Sequence, residues 1–358
     1  MKKINLLLAA SAALLLFSCN DKGGGIEIPG PKTQGFYILG EGTFGSENST
    51  LYYYDLNTKA VTDRFTAANP GTVLGNTAND MKVYGSKLYV AVDVSNKVLV
   101  LDAASGRILE DIDMGEADGT PREPRGIACA AGKVFVSTYS GQVARIDTTS
   151  YAVDYTPYSG SFKYSEGIAE VSERRLVVAN ARSGNTVTVI DIPTFTVSYD
   201  ITVPVNPCEL AVAGDGSVYL ATWSVFDASY TEIAKPALHK LDLTAKTYTT
   251  IPNVEVQRMA IHGQKLYGIN TVYGTGPVSS LVKVNLSDLS SETMIDSQVG
   301  SFNGVNVNSL NGYVYVMNVA PDYMTSTILG FDDKGNALTT LTGVGNAANT
   351  VAFYNIKK

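Results

Sequence analysis

The chain has 358 residues and carries 27 Lys and Arg against 34 Asp and Glu, a net charge of −7 with only 17% charged residues. No basic surplus exists to track a phosphate backbone, so a nucleic-acid partner is excluded as a working class. Cysteine is too scarce for a disulfide framework, and the length allows one large domain or two ordinary ones.

The chain begins with an address. Lys2 and Lys3 precede an apolar run from Ile4 to Phe17, which ends in Leu16-Phe17-Ser18-Cys19. A charged start, a short apolar core and a small residue before the cut predict a secretory signal, too short to persist as a spanning helix. Cys directly after the cut makes a bacterial lipobox. Residues 1–18 are therefore expected to be removed and Cys19 to be acylated, several acyl chains anchoring stably where one is marginal. Residues 19–34 read as a lipidated Cys followed by a Gly/Pro/polar tether. Asp21 resembles the acidic export signals of surface lipoproteins in Bacteroidetes. The expectation is an outer-membrane lipoprotein exposed at the cell surface, touching the membrane through its lipid alone.

Residues 40–45 read GEGTFG, a G-x-G-x-x-G pattern. A dinucleotide site needs a strand before the glycines and a helix after them, because the helix N-terminus holds the pyrophosphate. GFYIL before the loop fits a strand. SENSTLYYYD after it has Tyr-rich β character and no helical spacing. The loop is therefore expected to join two strands, its glycines serving turn geometry, and no nucleotide or other cofactor is expected.

Residues 35–358 carry a repeat. An apolar strand ending in Asp or Asn recurs to Asp55, Asp102, Asp147, Asp191, Asp242, Asn285 and Asp332. A second line, an apolar start followed by a tight turn and another strand, recurs from Met81, Ile127, Ile168, Leu210, Met259, Val305 and Val351. Both steps run between 41 and 51 residues. Units of that length with four short strands are propeller blades, so the fold class is all-β, a seven-bladed β-propeller of four-stranded blades. GNAANTVAFYN near the C-terminus repeats GNTANDMKVYG of residues 75–85. It is an inner strand with no strands of its own after it. The N-terminus supplies the missing ones in GFYILGEG, STLYYYD and an edge near Ala60–Phe65. The C-terminal strand thus completes the N-terminal blade and removes the exposed edges of an open stack.

With this topology the starts of the inner strands and the loops between second and third strands share one face, the top. The pairs Asn79-Asp80, Arg125-Gly126, Glu166-Gly167 and Cys208-Glu209 are expected to ring the channel mouth there, with Gln257-Arg258, Asn303-Gly304 and Asn349-Thr350 completing the circle. The top loops add Glu41 and Phe44 in blade one, Asp93 in blade two, Tyr139 in blade three and Arg182 in blade four. Blade five adds Trp223, Phe226 and Tyr230, blade six Tyr273, and blade seven Tyr323 with Met324. Aromatics around convergent polar groups suit a small ligand or a partner hot spot. Such rim side chains are expected to lie outside the packing between blades.

Catalytic signals are poor. His262 falls in a turn on the opposite face, and His239 lies mid-strand with no nucleophile matched to it. No HExxH or CxxC occurs, and no metal is expected. Asp80, Glu166 and Glu209 offer oxygen ligands, but Arg125 and Arg258 interleave with them and offset the field a cation needs. Cys129 and Cys208 are expected to stay as free buried thiols.

LGEGTFGSENSTLYYYD, with the lipobox, the seven repeats and the GNAAN-type inner strand, resembles the YncE-like propeller lipoproteins of Bacteroidetes, with Gly40 where an Asn commonly stands. Within that group the chain is similar to the BtuG-type surface proteins. The resemblance implies a non-enzymatic protein that captures a corrinoid, cobalamin, for a TonB-dependent outer-membrane transporter. The alternatives are a protein-interaction scaffold on the envelope and a calcium-dependent hydrolase like the lactonase propellers.

Overall fold

The two apolar lines of the repeat become neighbouring strands of seven four-stranded antiparallel sheets. In the computed structural model, residues 30–157, 164–272, 278–297 and 299–356 are described. The leader, Cys19 and Tyr273 lie outside them. The inner strands are Ala78–Tyr84, Pro124–Ala130, Ser165–Ser172, Pro207–Val212, Arg258–His262, Ser301–Val307 and Ala348–Ile356. Each packs beside the next around the ring, and the last returns to the first. The protein is a seven-bladed β-propeller. Among the described residues no helix is long and apolar enough to cross a membrane.

Closure is as the repeat predicts. Ala348–Ile356 pairs with Lys32–Gly40, which pairs with Thr50–Asp55 and then Val61–Asp63. The expected edge near Ala60–Phe65 is shorter. It stops at Asp63, whose side chain accepts the Thr66 N–H at 3.1 Å and caps a single helical turn, Arg64–Ala68. That turn buries Phe65 between blades one and two.

Apolar residues fill seven clusters, one at each blade-to-blade interface. Middle strands are covered on both sides, so they read as continuous apolar runs such as KLYVAV (Lys87–Val92), buried from Leu88 onward. Outer strands such as Ile108–Asp113 face solvent along most of their length. The Asp that ends each third strand has a local task. Asp55 accepts the Asn57 and Thr58 N–H groups, and Asp147 those of Thr149 and Ser150. These are Asx turns that fold the third strand into the fourth, which is why that marker recurs.

The GEGTFG loop is the stitch of the ring. The Glu41 and Gly42 N–H groups donate to the carbonyls of Ala347 and Asn346, and the Glu41 carbonyl accepts from Ala78 N. Gly45 N donates to Asn76 Oδ1 at 3.2 Å. One loop thus ties the C-terminal strand to blades one and two. Any Cβ at Gly40 would meet Thr50 Oγ1 at 2.2 Å and the Asn346 nitrogen at 2.6 Å, so only glycine fits. Both thiols are free: Cys208 is buried and Cys129 half-buried, its pKa pushed up to about 12 by burial.

Candidate functional site

The inner strands converge at the top on a funnel of about 180 Å³. Asn79, Asp80, Arg125, Glu166 and Glu209 line it, with Glu41, Arg258, Asn303 and Asn349. The sequence places nine of its candidates here. Some of them also fasten blades together. Asp80 Oδ2 accepts the Ile127 N–H of blade three at 2.9 Å, and Asn349 Nδ2 donates to the carbonyls of Ala78 and Asn79. Asn303 Nδ2 reaches the Ala348 carbonyl at 3.4 Å.

One sector of the funnel is sealed. Arg125 donates to Asp93 Oδ2 at 2.6 Å and to Glu166 Oε1 at 2.8 Å; both carboxylates are buried and the guanidinium largely so. The Tyr139 hydroxyl donates to the other Glu166 oxygen. Its ring lies between the Arg125 guanidinium at 4.4 Å and that of Arg182 at 4.5 Å. Burial works to raise the Glu166 carboxyl, but Arg125 outweighs it and holds the group below the usual carboxylate range. These rim side chains are therefore part of the packing between blades two, three and four. The expectation that they stand outside it is corrected, because one guanidinium reaches carboxylates from both neighbouring blades.

The opposite sector is loose. Arg258 approaches Glu209 only to 3.5 Å, and its guanidinium lies 5.6 Å from the Trp223 ring centre. Burial pushes the Glu209 carboxyl up to about 7 against the pull of Arg258, and burial raises Glu41 likewise. Inside the funnel the Asn79 Nδ2 and Asn349 Oδ1 atoms are buried with no hydrogen-bond partner. Gln257 does not reach the funnel. It lines an adjoining cavity with Trp223 and Phe226, its side-chain nitrogen committed to the Thr271 carbonyl at 3.2 Å.

The remaining aromatics do not converge. Phe44 is 82% and Tyr230 90% exposed, and Tyr323 with Met324 also faces solvent. They sit on top loops without lining the funnel; Tyr230 follows Phe226 on a short hairpin, Val225–Phe226 with Glu232–Ala234. Sequence reasoning missed Lys82, Asn306 and Ser224. Lys82 and Asn306 follow Asp80 and Gly304 by two residues, so strand alternation puts them on the channel face. Ser224 carries no signal beyond its neighbour Trp223.

Neither histidine joins the site. His239 is buried between Thr222 and Thr250, and burial lowers its pKa to about 4. His262 lies in the turn at the other end of the ring, beside a cavity of about 630 Å³ between blades six and seven. Among the described residues no three His, Cys, Asp or Glu side chains gather where a metal ion could sit.

Fold and site together define a closed propeller with a polar, partly unsatisfied funnel at the top. The sequence matches, over residues 34–343, the family described as a domain of unknown function (DUF5074), and the chain belongs to that family. No curated protein matches it. Among solved structures, a quinonprotein alcohol dehydrogenase-like protein from Bacteroides thetaiotaomicron superposes with a TM-score of 0.64 at 16% identity, covering 90% of this chain and 79% of its own. A 6-phosphogluconolactonase candidate from Bacteroides uniformis gives 0.64 at 13% identity, covering 90% and 100%. One from Bacteroides fragilis gives 0.61 at 13%, covering 90% and 98%. At such identities the likeness is one of fold.

Proposed function

We propose that the protein is a non-enzymatic binding propeller of the cell envelope that captures a ligand at its top face, with a corrinoid as the ligand class and a TonB-dependent outer-membrane transporter as the recipient. The observation that carries this reading is the pair of buried, unpartnered amide atoms on Asn79 and Asn349 inside the funnel. Buried polar groups without partners are rare in folded proteins and mark places where something else bonds. The loose Arg258–Glu209 contact adds donors beside them. A corrinoid is too large for a funnel of about 180 Å³. It would lie across the mouth, its amide arms reaching down to the asparagines and its flat face covered by top-loop aromatics. The lipobox around Cys19 supports an anchored, surface-exposed protein, where such capture is useful.

A scaffold role is the second reading. Phe44, Tyr230 and Tyr323 stand exposed at the same end, the kind of side chain that anchors protein partners. Calorimetric titration with cobalamin and cobinamide separates the two. Saturable heat that is lost in Asn79→Ala and Asn349→Ala supports capture, and no corrinoid binding leaves the scaffold ahead. A Cys19→Ala variant that still fractionates with the outer membrane after a high-salt wash would sink the lipoprotein assignment.

A further inference from the structure

Arg258 and Asn303 stand at a junction between two cavities. On one side they line the funnel. On the other they line a side cavity of about 300 Å³ where blades five, six and seven meet, walled by Trp223, Phe226 and Phe302. Phe302 and Ile269 back the cavity and are themselves buried, while Gln257, Arg258, Thr271 and Asn303 add polar groups to its lining. Ser224 belongs to the same wall. It is 8% exposed, and its hydroxyl oxygen is buried without a hydrogen-bond partner. Folding leaves a hydroxyl unpaired in that way at a cost, unless a ligand uses it.

The size of the cavity sits at the lower end of small-molecule pockets, room for one ring system and not for a whole large ligand. Its walls favour a flat ring, because aromatic faces gain from offset stacking beyond their buried area. Its charge favours an anionic or strongly accepting edge. Arg125, across the funnel, commits both terminal nitrogens to carboxylates at 2.6 and 2.8 Å, whereas Arg258 has its carboxylate only at 3.5 Å. A guanidinium held that loosely retains donors for a bidentate acceptor. A cationic ring would meet Arg258 as a like charge.

We propose that this side cavity is the ring-binding subsite of the captured ligand: a planar aromatic or heteroaromatic ring stacks on Trp223 while hydrogen-bond acceptors at its edge bond Arg258 and the Ser224 hydroxyl. The assignment rests on the ligand-capture reading and sharpens it, since it names the chemistry of one part of the ligand.

The chain contains a single Trp, so the site reports its own occupancy. The probe is 4-nitrobenzoate, a flat aromatic carboxylate that quenches tryptophan emission, titrated into the full chain. Cyclohexanecarboxylate, with the same charge and no flat ring, serves as competitor. The expected result is saturable quenching, weakened about tenfold in Arg258→Gln and about threefold in Ser224→Ala, with little competition from cyclohexanecarboxylate. Unsaturable quenching, or quenching unchanged in both variants while their melting curves match the parent, overturns the subsite. If Arg258→Gln fails to fold, Ser224→Ala decides alone. A parallel calorimetric titration keeps the two proposals apart. Cobalamin binding that 4-nitrobenzoate does not hinder removes the subsite and leaves capture standing. Saturable nitrobenzoate binding without any corrinoid binding does the reverse for the corrinoid.

Discussion

Arg125 and Arg258 both stand at the start of inner strands, in blades three and six, Arg125 two residues before Ile127 and Arg258 directly before Met259. Their surroundings diverge. Arg125 is locked by Asp93 and Glu166 and covered by Tyr139. Arg258 has one distant carboxylate and an open cavity beside it. Arginines at adjacent repeat positions thus serve as a fastener on one side of the funnel and as a loosely held recognition group on the other. The lesson is that a ring of polar residues in a propeller does not declare which of its members bind. Pairing geometry decides, because a guanidinium whose two terminal nitrogens already hold carboxylates must lose those partners before it can take new ones.

The comparison breaks most visibly through stability. Arg125→Met should leave Glu166 and Asp93 buried without their counter-charge, which costs about 3–5 kcal/mol. Arg258→Met should cost less, because its half-buried pair with Glu209 is held only at 3.5 Å. Urea unfolding of the two variants measures the difference. Equal losses would mean that both sectors are structural.

Binding should show the opposite order. Trp223→Ala removes the largest stacking surface of the loose sector and should weaken cobalamin affinity by about 2 kcal/mol; because the ring also packs on the core between blades five and six, the unfolding midpoint should fall as well. A variant that binds as the parent does would move the ligand away from blade five.

A smaller effect tests the lock itself. Tyr139→Phe keeps the ring between Arg125 and Arg182 and deletes only the hydroxyl that donates to Glu166. The expected loss is about 1.5 kcal/mol of stability with no change in binding. An equal loss of affinity would show that the sealed sector also touches the ligand.

The ring and its closure were legible in the sequence because two apolar markers recur at one spacing and the C-terminal strand copies residues 75–85. The funnel positions were legible because a pair of mostly polar residues directly precedes each marker. The division of labour was not. Arg125 and Arg258 look alike in a line of text. Asp93 and Glu166 reach Arg125 only because neighbouring blades bring a top loop and an inner strand to the same point. Phe44 illustrates the converse. Its loop was placed correctly, but the backbone is held by Asn48 and Asn76 so that the ring points to solvent. Ser224 became visible only once its hydroxyl was found buried and alone.

The last and smallest prediction concerns Glu209, the partner of the free arginine. Burial raises its carboxyl to about 7 in the folded protein, against 4.5 as the ordinary value. The folded chain then binds more protons than the unfolded one between those limits, so this group's contribution to stability falls as pH rises through that window. The penalty is complete above about pH 7. Glu209→Gln removes the titration and keeps the shape. Its stability should match the parent near pH 4.5 and exceed it near pH 8, by about 1 kcal/mol, less than full linkage because solvent reaches the carboxylate. Glu166 behaves in the opposite sense. Its carboxyl is held low by Arg125, so its contribution is lost as pH falls through the acid range. Thermal melts of Glu209→Gln and the parent across that pH range make the test. If the difference stays flat, Glu209 is ionised and firmly paired to Arg258 in solution, and the loose sector is as closed as the sealed one.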